Sequence, residues 1–153
     1  MNTAATLKTR LGTLRFTVLR YEYPDAEGPG DRNWLVARVV WESEFCRASH
    51  EGAILETQEL RALAVALADR GAYGEHGFLE PSFALLRIPA EAGAPERVTI
   101  TLYGEARHGE GRFEVTTPVD PADVIAFGEG LRRLAEQFPG RQARASQDRL
   151  AAA

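Results

Sequence analysis

The chain of 153 residues contains a single cysteine, Cys46, and that scarcity excludes several classes of protein. One thiol cannot form an internal disulfide, and it cannot supply a metal cluster that is built on thiolates. No window approaches the roughly 20 consecutive apolar residues of a membrane span, and the opening MNTAATLKTR lacks the apolar stretch of a signal peptide. We therefore expect a cytoplasmic protein without membrane association, in which Cys46 is a small buried residue of a strand.

Motifs for catalysis and nucleotide binding are also missing from the sequence. No serine lies in a Gly-x-Ser-x-Gly setting, and no His-Glu-x-x-His is present. The Gly-Glu-Gly stretches at 109–111 and 128–130 are too short and wrongly placed for a phosphate-binding loop. These absences argue against a hydrolase of the nucleophile-elbow type and against a nucleotide-binding protein.

The histidines are few and far apart along the chain: His50, His76 and His108. A catalytic site built from His76, Glu80 and His108 is conceivable only if the fold brings the three side chains within hydrogen-bond reach. We therefore expect no enzymatic activity, no cofactor and no metal site.

Charge is distributed unevenly along the chain, although the formal total is only −4. Residues 21–140 contain 21 aspartates and glutamates against 11 arginines, whereas the two ends together are basic. An acidic body of this kind repels nucleic acid and attracts basic partners through steering that decays over about 10 Å at moderate salt. The alternative is that the acidic surface only keeps the protein soluble.

Alternating apolar residues predict the first strands. Leu14, Phe16 and Val18 share one face, and the parity then shifts, which indicates a bulge or a bend near Val18 and Leu19. The stretch NWLVARVVW is apolar on both faces and is typical of a central strand, so that Trp34 and Trp41 are expected to be core residues. A weaker strand over residues 45–49 is predicted to turn at Glu51-Gly52.

Two helices are indicated by apolar residues at intervals of three and four. The first is predicted to be capped by Thr57 and to end at Gly71. Arg70 lies in its predicted last turn, where a positive charge interacts favourably with the negative end of the helix dipole. The second is predicted to begin with Asp120 as the cap and Pro121 in the first helical position. Glycines 128 and 130 lie inside its pattern, which predicts a close approach of a neighbouring element.

Three strands in series, at 83–88, 97–103 and 112–116, predict an antiparallel meander. The fold class is therefore expected to be α+β, with an antiparallel sheet of about five to six strands that ends in a meander and with two helices packed across it. We expect one domain over residues 11–140, a flexible N-terminus over residues 1–10 and a tail over residues 141–153.

The stretch GFLEPSF places a charge and a proline where the meander begins. Proline has no N–H to donate to a neighbouring strand, and it favours an extended backbone at the residue before it. Glu80-Pro81 is therefore expected to mark the start of a strand. Two roles are open to Glu80. Its side chain either points outward to a partner, or points inward to cap backbone N–H groups or to pair with Arg38. We favour the structural role, since a carboxylate that satisfies local donors can fix a turn.

The segments DRNWLVARVVW, TQELRALAVAL, GFLEPSFAL and the closing EQFPGR, in this order, resemble the WapI-type immunity proteins of bacteria. The resemblance covers about residues 12–141. It implies a non-enzymatic protein that binds and blocks a cognate polymorphic toxin in the cytoplasm, where the toxin is commonly a nuclease.

The acidic body agrees with this resemblance, because carboxylates can occupy the positions that phosphates take in the basic groove of a nuclease. We expect the contacts to the toxin at predicted strand ends and loops: Glu42, Glu44, Glu51, Glu75 and Glu80. The alternative is a small cytosolic interaction or regulatory module without a toxin partner, and a homodimer is possible in either case. The expected partner is a protein, not a nucleic acid.

Overall fold

The computed structural model describes residues 4–26, 28, 31–106 and 109–141. In these residues the chain forms eight strands and two helices. In chain order they are β1 (Ala4–Lys8), β2 (Gly12–Tyr21), β3 (Trp34–Ser43), β4 (Arg47–Glu56), α1 (Thr57–Ala68), β5 (Gly74–Gly77), β6 (Phe83–Ile88), β7 (Arg97–Ala106), β8 (Gly109–Pro118) and α2 (Pro121–Gln137).

The strands form two antiparallel sheets of four strands each. The first sheet has the order β1-β2-β3-β4, and the second has the order β5-β6-β7-β8. The predicted α+β class, the two helices and the meander are confirmed, whereas the single sheet of five to six strands is wrong. The chain leaves the first sheet at the end of β4 to form α1, and β5 then pairs with β6 and starts a separate sheet.

Two strands differ from the sequence prediction. β4 continues through Glu51-Gly52, where a turn is predicted, because both residues pair in register with Arg38 and Ala37 of β3. β5 lies in glycine-rich sequence that is typical of a turn, yet residues 74–77 pair along their whole length with β6. In both places a neighbouring strand supplies hydrogen bonds that the local sequence does not indicate.

One apolar core joins the two sheets and the helices. Phe16 of the first sheet meets Phe78 and Phe83 edge-on, with ring centroids 6.1 and 5.9 Å away. Trp41 is buried, and its ring centroid lies 6.4 Å from the ring centroid of Phe113 in β8. Aromatic side chains in this arrangement contribute burial and favourable ring contacts, and here they hold the inner faces of the two sheets together.

The predicted bulge in β2 is confirmed, since the register with β3 shifts between Val18 and Arg20. The shift turns Tyr21 toward the end of α2, where its ring meets Phe138 at 5.6 Å and its hydroxyl donates to the Pro139 carbonyl at 2.6 Å. The bulge therefore sets the position of an aromatic side chain that holds the end of the last helix.

The two ends of α1 differ from the prediction. Glu56, not Thr57, occupies the N-cap position, and its N–H donates to Glu59 Oε2 at 2.7 Å. The Thr57 N–H still belongs to the sheet, because it donates to the Asn33 carbonyl at 3.0 Å. At the other end the helix ends at Ala68, before Arg70.

The N-terminus of α2 is as predicted, since the Asp120 side chain accepts from the Ala122 N–H at 2.9 Å and Pro121 begins the helix. The close approach at the glycines is also confirmed. A Cβ at Gly128 would lie 2.7 Å from the Ala68 nitrogen of α1, and one at Gly130 would lie 3.0 Å from Ala5 Cβ of β1. Helix α2 therefore packs directly on both α1 and β1.

Residues at both ends of the described chain contact the rest of the fold. In the N-terminal segment, Ala4–Lys8 pair with β2 and bury Ala5 and Leu7. At the other end, the Arg141 guanidinium donates to the Arg32 and Pro24 carbonyls and lies 4.1 Å from the Tyr21 ring centroid. Residues 142–153 of the predicted tail lie outside the described residues.

Candidate protein-binding surfaces

Glu42 and Glu51 lie on the outer face of the first sheet, opposite the core. Glu51 pairs in register with Arg38, and its Oε2 accepts from Arg38 Nε at 2.6 Å. The side chains of Glu51 and Arg38 are both about half exposed, at 49% and 51% respectively. Glu42 lies opposite Arg47 in the last pair before the chain reverses. The carboxylate of Glu51 is therefore partly neutralised, and each acid has an arginine as its neighbour on the adjacent strand.

The outer face of the first sheet carries more cations than acids. The alternation of the strands places exposed basic side chains beside Glu42 and Glu51: Lys8, Arg15, Arg38 and Arg47. Strand register, rather than local composition, decides which charges become neighbours across a sheet. The structure thus places these two glutamates in surroundings that are less negative than the chain as a whole.

Glu44 lies in the turn that connects β3 to β4, which we name the Phe45 turn and define as residues 43–46. The Ser43 hydroxyl accepts from the Phe45 and Cys46 N–H groups, both at 3.2 Å, and the Ser43 N–H donates to the Cys46 carbonyl at 3.0 Å. Phe45 is 88% exposed. The turn therefore holds a large aromatic side chain in water beside a carboxylate.

Cys46 is exposed, so the prediction of a buried strand residue is wrong. The chain reverses direction at this position, and β4 begins only at Arg47. Its backbone is fixed by the Ser43 hydroxyl, and the sulfur lies 3.6 Å from that oxygen. The position in the turn, not the apolar character of the side chain, determines its exposure.

Glu75 lies on the outer face of the second sheet, where it borders a shallow concavity of about 260 Å³. Tyr103 is 41% exposed there, and the Arg112 guanidinium lies 5.8 Å from its ring centroid. Arg112 also forms an ion pair with Glu114. This face offers an aromatic ring with charges of both signs around it.

Glu80 is exposed in the loop before β6, and the predicted structural role belongs to another residue. Glu59 Oε1 of α1 accepts from the Leu79 N–H at 2.7 Å. Arg38, which the sequence offers as a partner of Glu80, pairs with Glu51 instead. Glu59 is the carboxylate that sequence reasoning missed, and its only signal is the spacing of three from the N-cap residue Glu56.

A groove of about 550 Å³ runs between the exposed sides of α1 and α2. Ala64, Ala68 and Ala135 line its floor, and Val65 is 73% exposed beside them. Its rim is charged and carries the following side chains: Arg61, Asp69, Glu129, Arg132 and Glu136. The groove combines an apolar floor with charges of both signs, and the sequence pattern did not single it out.

A comparison with protein families matches residues 6–139 to the family described as the immunity protein WapI-like family. The chain belongs to the WapI-like immunity protein family. The match begins inside β1 and ends directly after α2, so it covers nearly the whole described fold. Comparisons with curated proteins and with solved structures find no match.

Among the described residues, no hydrogen bond joins His76 and Glu80, two of the three residues considered for a catalytic site in this WapI-like protein. His76 is half-buried, and its Nε2 lies 3.0 Å from the Ala72 carbonyl oxygen, whereas Glu80 faces solvent. His108 lies outside the described residues. Within residues 4–26, 28, 31–106 and 109–141, no three His, Cys, Asp or Glu side chains are grouped to hold a metal ion. No helix in the same ranges is long and apolar enough to cross a membrane.

Proposed function

We propose that this WapI-like immunity protein binds a cognate polymorphic toxin in the bacterial cytoplasm and neutralises it by covering its active surface. The observation that carries the proposal is the family match over residues 6–139. Family membership supports a protein as the partner and binding as the mode of action.

The toxin is a nuclease in this proposal, and acidic side chains of the immunity protein occupy its basic substrate groove. The excess of 21 acids over 11 arginines in residues 21–140 supports this, because carboxylates can take the places of phosphates in such a groove. The proposed contacts are Glu42, Glu44, Glu51, Glu75 and Glu80, all of which are exposed.

The five glutamates differ in how much charge they can offer a partner. Glu51 already forms an ion pair with Arg38, so part of its charge is compensated before binding. Glu44, Glu75 and Glu80 have no ion pair among the described residues. We therefore assign the larger electrostatic role to these three side chains.

Co-purification tests the proposal, with the toxin domain encoded next to this protein as bait. The complex is expected to form, and its Kd is expected to rise as salt increases from about 0.05 to about 0.5 M, because the Debye length shortens over this range. Glu44→Lys should weaken binding. Glu91→Lys is the matched control, since Glu91 is exposed in the loop between β6 and β7 and the change in net charge is the same.

Two results would contradict the proposal at different levels. Failure of the toxin domain to co-purify would remove the immunity function itself. A complex whose Kd is unaffected by salt and by Glu44→Lys would retain that function but would remove the acidic mode of binding.

A further inference from the structure

Phe45 is the most exposed large apolar side chain in the described part of the chain. It is 88% exposed, followed by Leu79 at 86% and Val65 at 73%. An aromatic ring of this size is normally buried, and a side chain that water surrounds in the free protein gains most when a partner covers it. Its exposure at the tip of a turn points to a contact with another molecule.

Hydrogen bonds within the chain hold the backbone of the Phe45 turn in the free protein. Its Ser43 hydroxyl accepts from two consecutive backbone N–H groups, and the Ser43 N–H closes the turn by donating to the Cys46 carbonyl. Strands β3 and β4 continue from this turn as a ten-residue antiparallel pair. Because these contacts already order the backbone of the turn, binding through Phe45 costs less backbone entropy than binding through an unstructured loop would, which favours Phe45 as an interface anchor.

The charges at the turn define the chemistry of the partner. Glu44 is exposed and has no ion pair among the described residues, whereas Glu42, two residues before it, lies opposite Arg47. An aromatic ring beside the Glu44 carboxylate is complementary to an apolar pocket that has lysine or arginine at its rim. A second copy of this chain is less complementary, because a two-fold contact at the turn would bring the two Glu44 carboxylates together.

We propose that Phe45 is the apolar anchor of the toxin interface and enters a pocket with a basic rim on the toxin, with Glu44 contacting that rim. This inference rests on the proposed function, and it adds the position of the interface and the property of the partner surface. It places the apolar anchor of the interface at the tip of the β3–β4 hairpin, rather than in the groove between the helices.

The only cysteine of the chain gives a direct probe of the Phe45 turn. Cys46 is exposed next to Phe45, so a small alkylating reagent should modify it readily in the free protein. In the toxin complex the rate is expected to fall by about tenfold or more, because interfaces exclude water around a buried anchor. The control is the double variant C46S/A92C, which moves the thiol to the exposed loop between β6 and β7 and should react equally in both states.

Substitution of the anchor completes the test. Phe45→Ala is expected to raise the Kd for the toxin domain by about 30-fold or more, the effect typical of a central aromatic anchor. The thermal midpoint of unfolding should stay unchanged, since the ring lies almost wholly in water. Val65→Ala, which truncates an apolar side chain that is 73% exposed on α1, is the matched control and should change the Kd by less than about threefold.

The outcomes separate this inference from the proposed function. If the toxin binds while Cys46 stays reactive and Phe45→Ala binds normally, the anchor is wrong and the immunity function stands. If Cys46 becomes protected in the free protein as its concentration rises, the turn contacts a second copy of the chain and the assignment to the toxin is overturned. If the toxin domain does not bind the unaltered protein, both proposals fail.

Discussion

Glu59 connects the first turn of α1 to the loop before β6, since its Oε1 accepts a hydrogen bond from the Leu79 N–H at 2.7 Å. Its other oxygen, Oε2, accepts from the Glu56 N–H at 2.7 Å at the start of the helix. One carboxylate thus satisfies two backbone donors that lie 23 positions apart in the chain. It positions the GFLEPSF loop, so that Phe78 and Phe83 both reach Phe16.

Glu59→Ala is expected to lower the free energy of unfolding by about 1–3 kcal/mol, because it removes the helix-capping hydrogen bond and the hydrogen bond to the loop. Urea denaturation measures the change. Glu80→Ala in the same loop is the control, and it should alter stability by less than about 0.5 kcal/mol, since its side chain is exposed. Equal effects of the two substitutions would contradict the assignment of the structural role to Glu59.

Arg87 of β6 binds backbone carbonyl groups at the C-terminal end of α1. It is fully buried, pairs with buried Glu96 at 2.8 Å, and donates to the Asp69 carbonyl at 2.7 Å. Its guanidinium also lies 4.9 Å from the Tyr73 ring centroid. The cation at this helix end thus comes from β6, although the sequence favours Arg70 for that role.

Arg87→Met is expected to destabilise the protein by about 3–5 kcal/mol, because it leaves the Glu96 carboxylate buried without its partner. Arg112→Met breaks an ion pair in which both side chains are about half exposed, so it should cost less than about 1 kcal/mol. Chemical denaturation of both variants gives the comparison. A small effect at Arg87 would show that the buried pair is not required for stability.

Gly128→Ala is expected to destabilise the protein, although alanine is the better helix former by about 1 kcal/mol. The new methyl group would lie 2.7 Å from the Ala68 nitrogen and 2.9 Å from the Leu67 carbonyl carbon, and backbone atoms cannot yield to it as a flexible side chain would. We expect a net loss of about 1–3 kcal/mol, measured by thermal and urea unfolding.

Gly130→Ala gives a graded comparison for the same helix. Its methyl group would meet Ala5 Cβ at 3.0 Å on the edge strand β1, a contact that a small shift can relieve. The loss should therefore be smaller than at Gly128. A stabilising effect of Gly128→Ala would contradict the close packing of α1 against α2.

The stability of the protein is expected to fall above about pH 10 through Tyr21. Burial raises the pKa of this phenol above its ordinary value of 10.0, and the positive charges of Arg141 and Arg61 oppose that rise. The unfolded chain therefore loses this proton at a lower pH than the folded chain. The stabilisation is fully present below about pH 10 and is lost as the pH rises through the folded pKa.

Tyr21→Phe isolates the contribution of this phenol to the pH dependence. The variant loses the hydrogen bond to the Pro139 carbonyl at every pH, but its stability should decline less steeply above about pH 10. Urea denaturation of both proteins across the alkaline range is the measurement. Parallel curves would show that Tyr21 does not carry this linkage.

Much of the local structure was predictable because its causes lie close together in the sequence. For α2, one segment of sequence contains the cap at Asp120, the proline after it and the apolar stripe. Strand β6 has the bounds that its apolar pattern predicts. The bulge after Val18 and the close approach at Gly128 were also predictable, since a parity change and a misplaced glycine are local signals.

The remaining features depend on partners that are distant in the sequence. β1 forms because β2 pairs with it and α2 covers it, and β5 forms because β6 pairs with it, although each strand alone has little pattern. The division into two sheets follows from pairing, which periodicity does not reveal. The same holds for Glu59 and Leu79, whose hydrogen bond joins residues 20 positions apart.

For the candidate site, sequence reasoning identified exposed acids but not their surroundings. Glu42 and Glu51 are exposed, yet strand register places them beside Arg47 and Arg38. The exposure of Phe45 was not predicted, because an apolar residue in a short strand-like stretch is normally buried. The Ser43 hydroxyl fixes the turn that exposes it, and that hydrogen bond is visible only in the structure.

Protection of living cells is the most direct test of the central claim, which is that this WapI-like protein neutralises a toxin by binding it. The toxin domain encoded beside it is expressed in bacteria with and without this chain, and survival is counted. We predict survival with the unaltered protein and growth arrest without it. Growth arrest in both cultures, with the protein present and folded, would contradict the account.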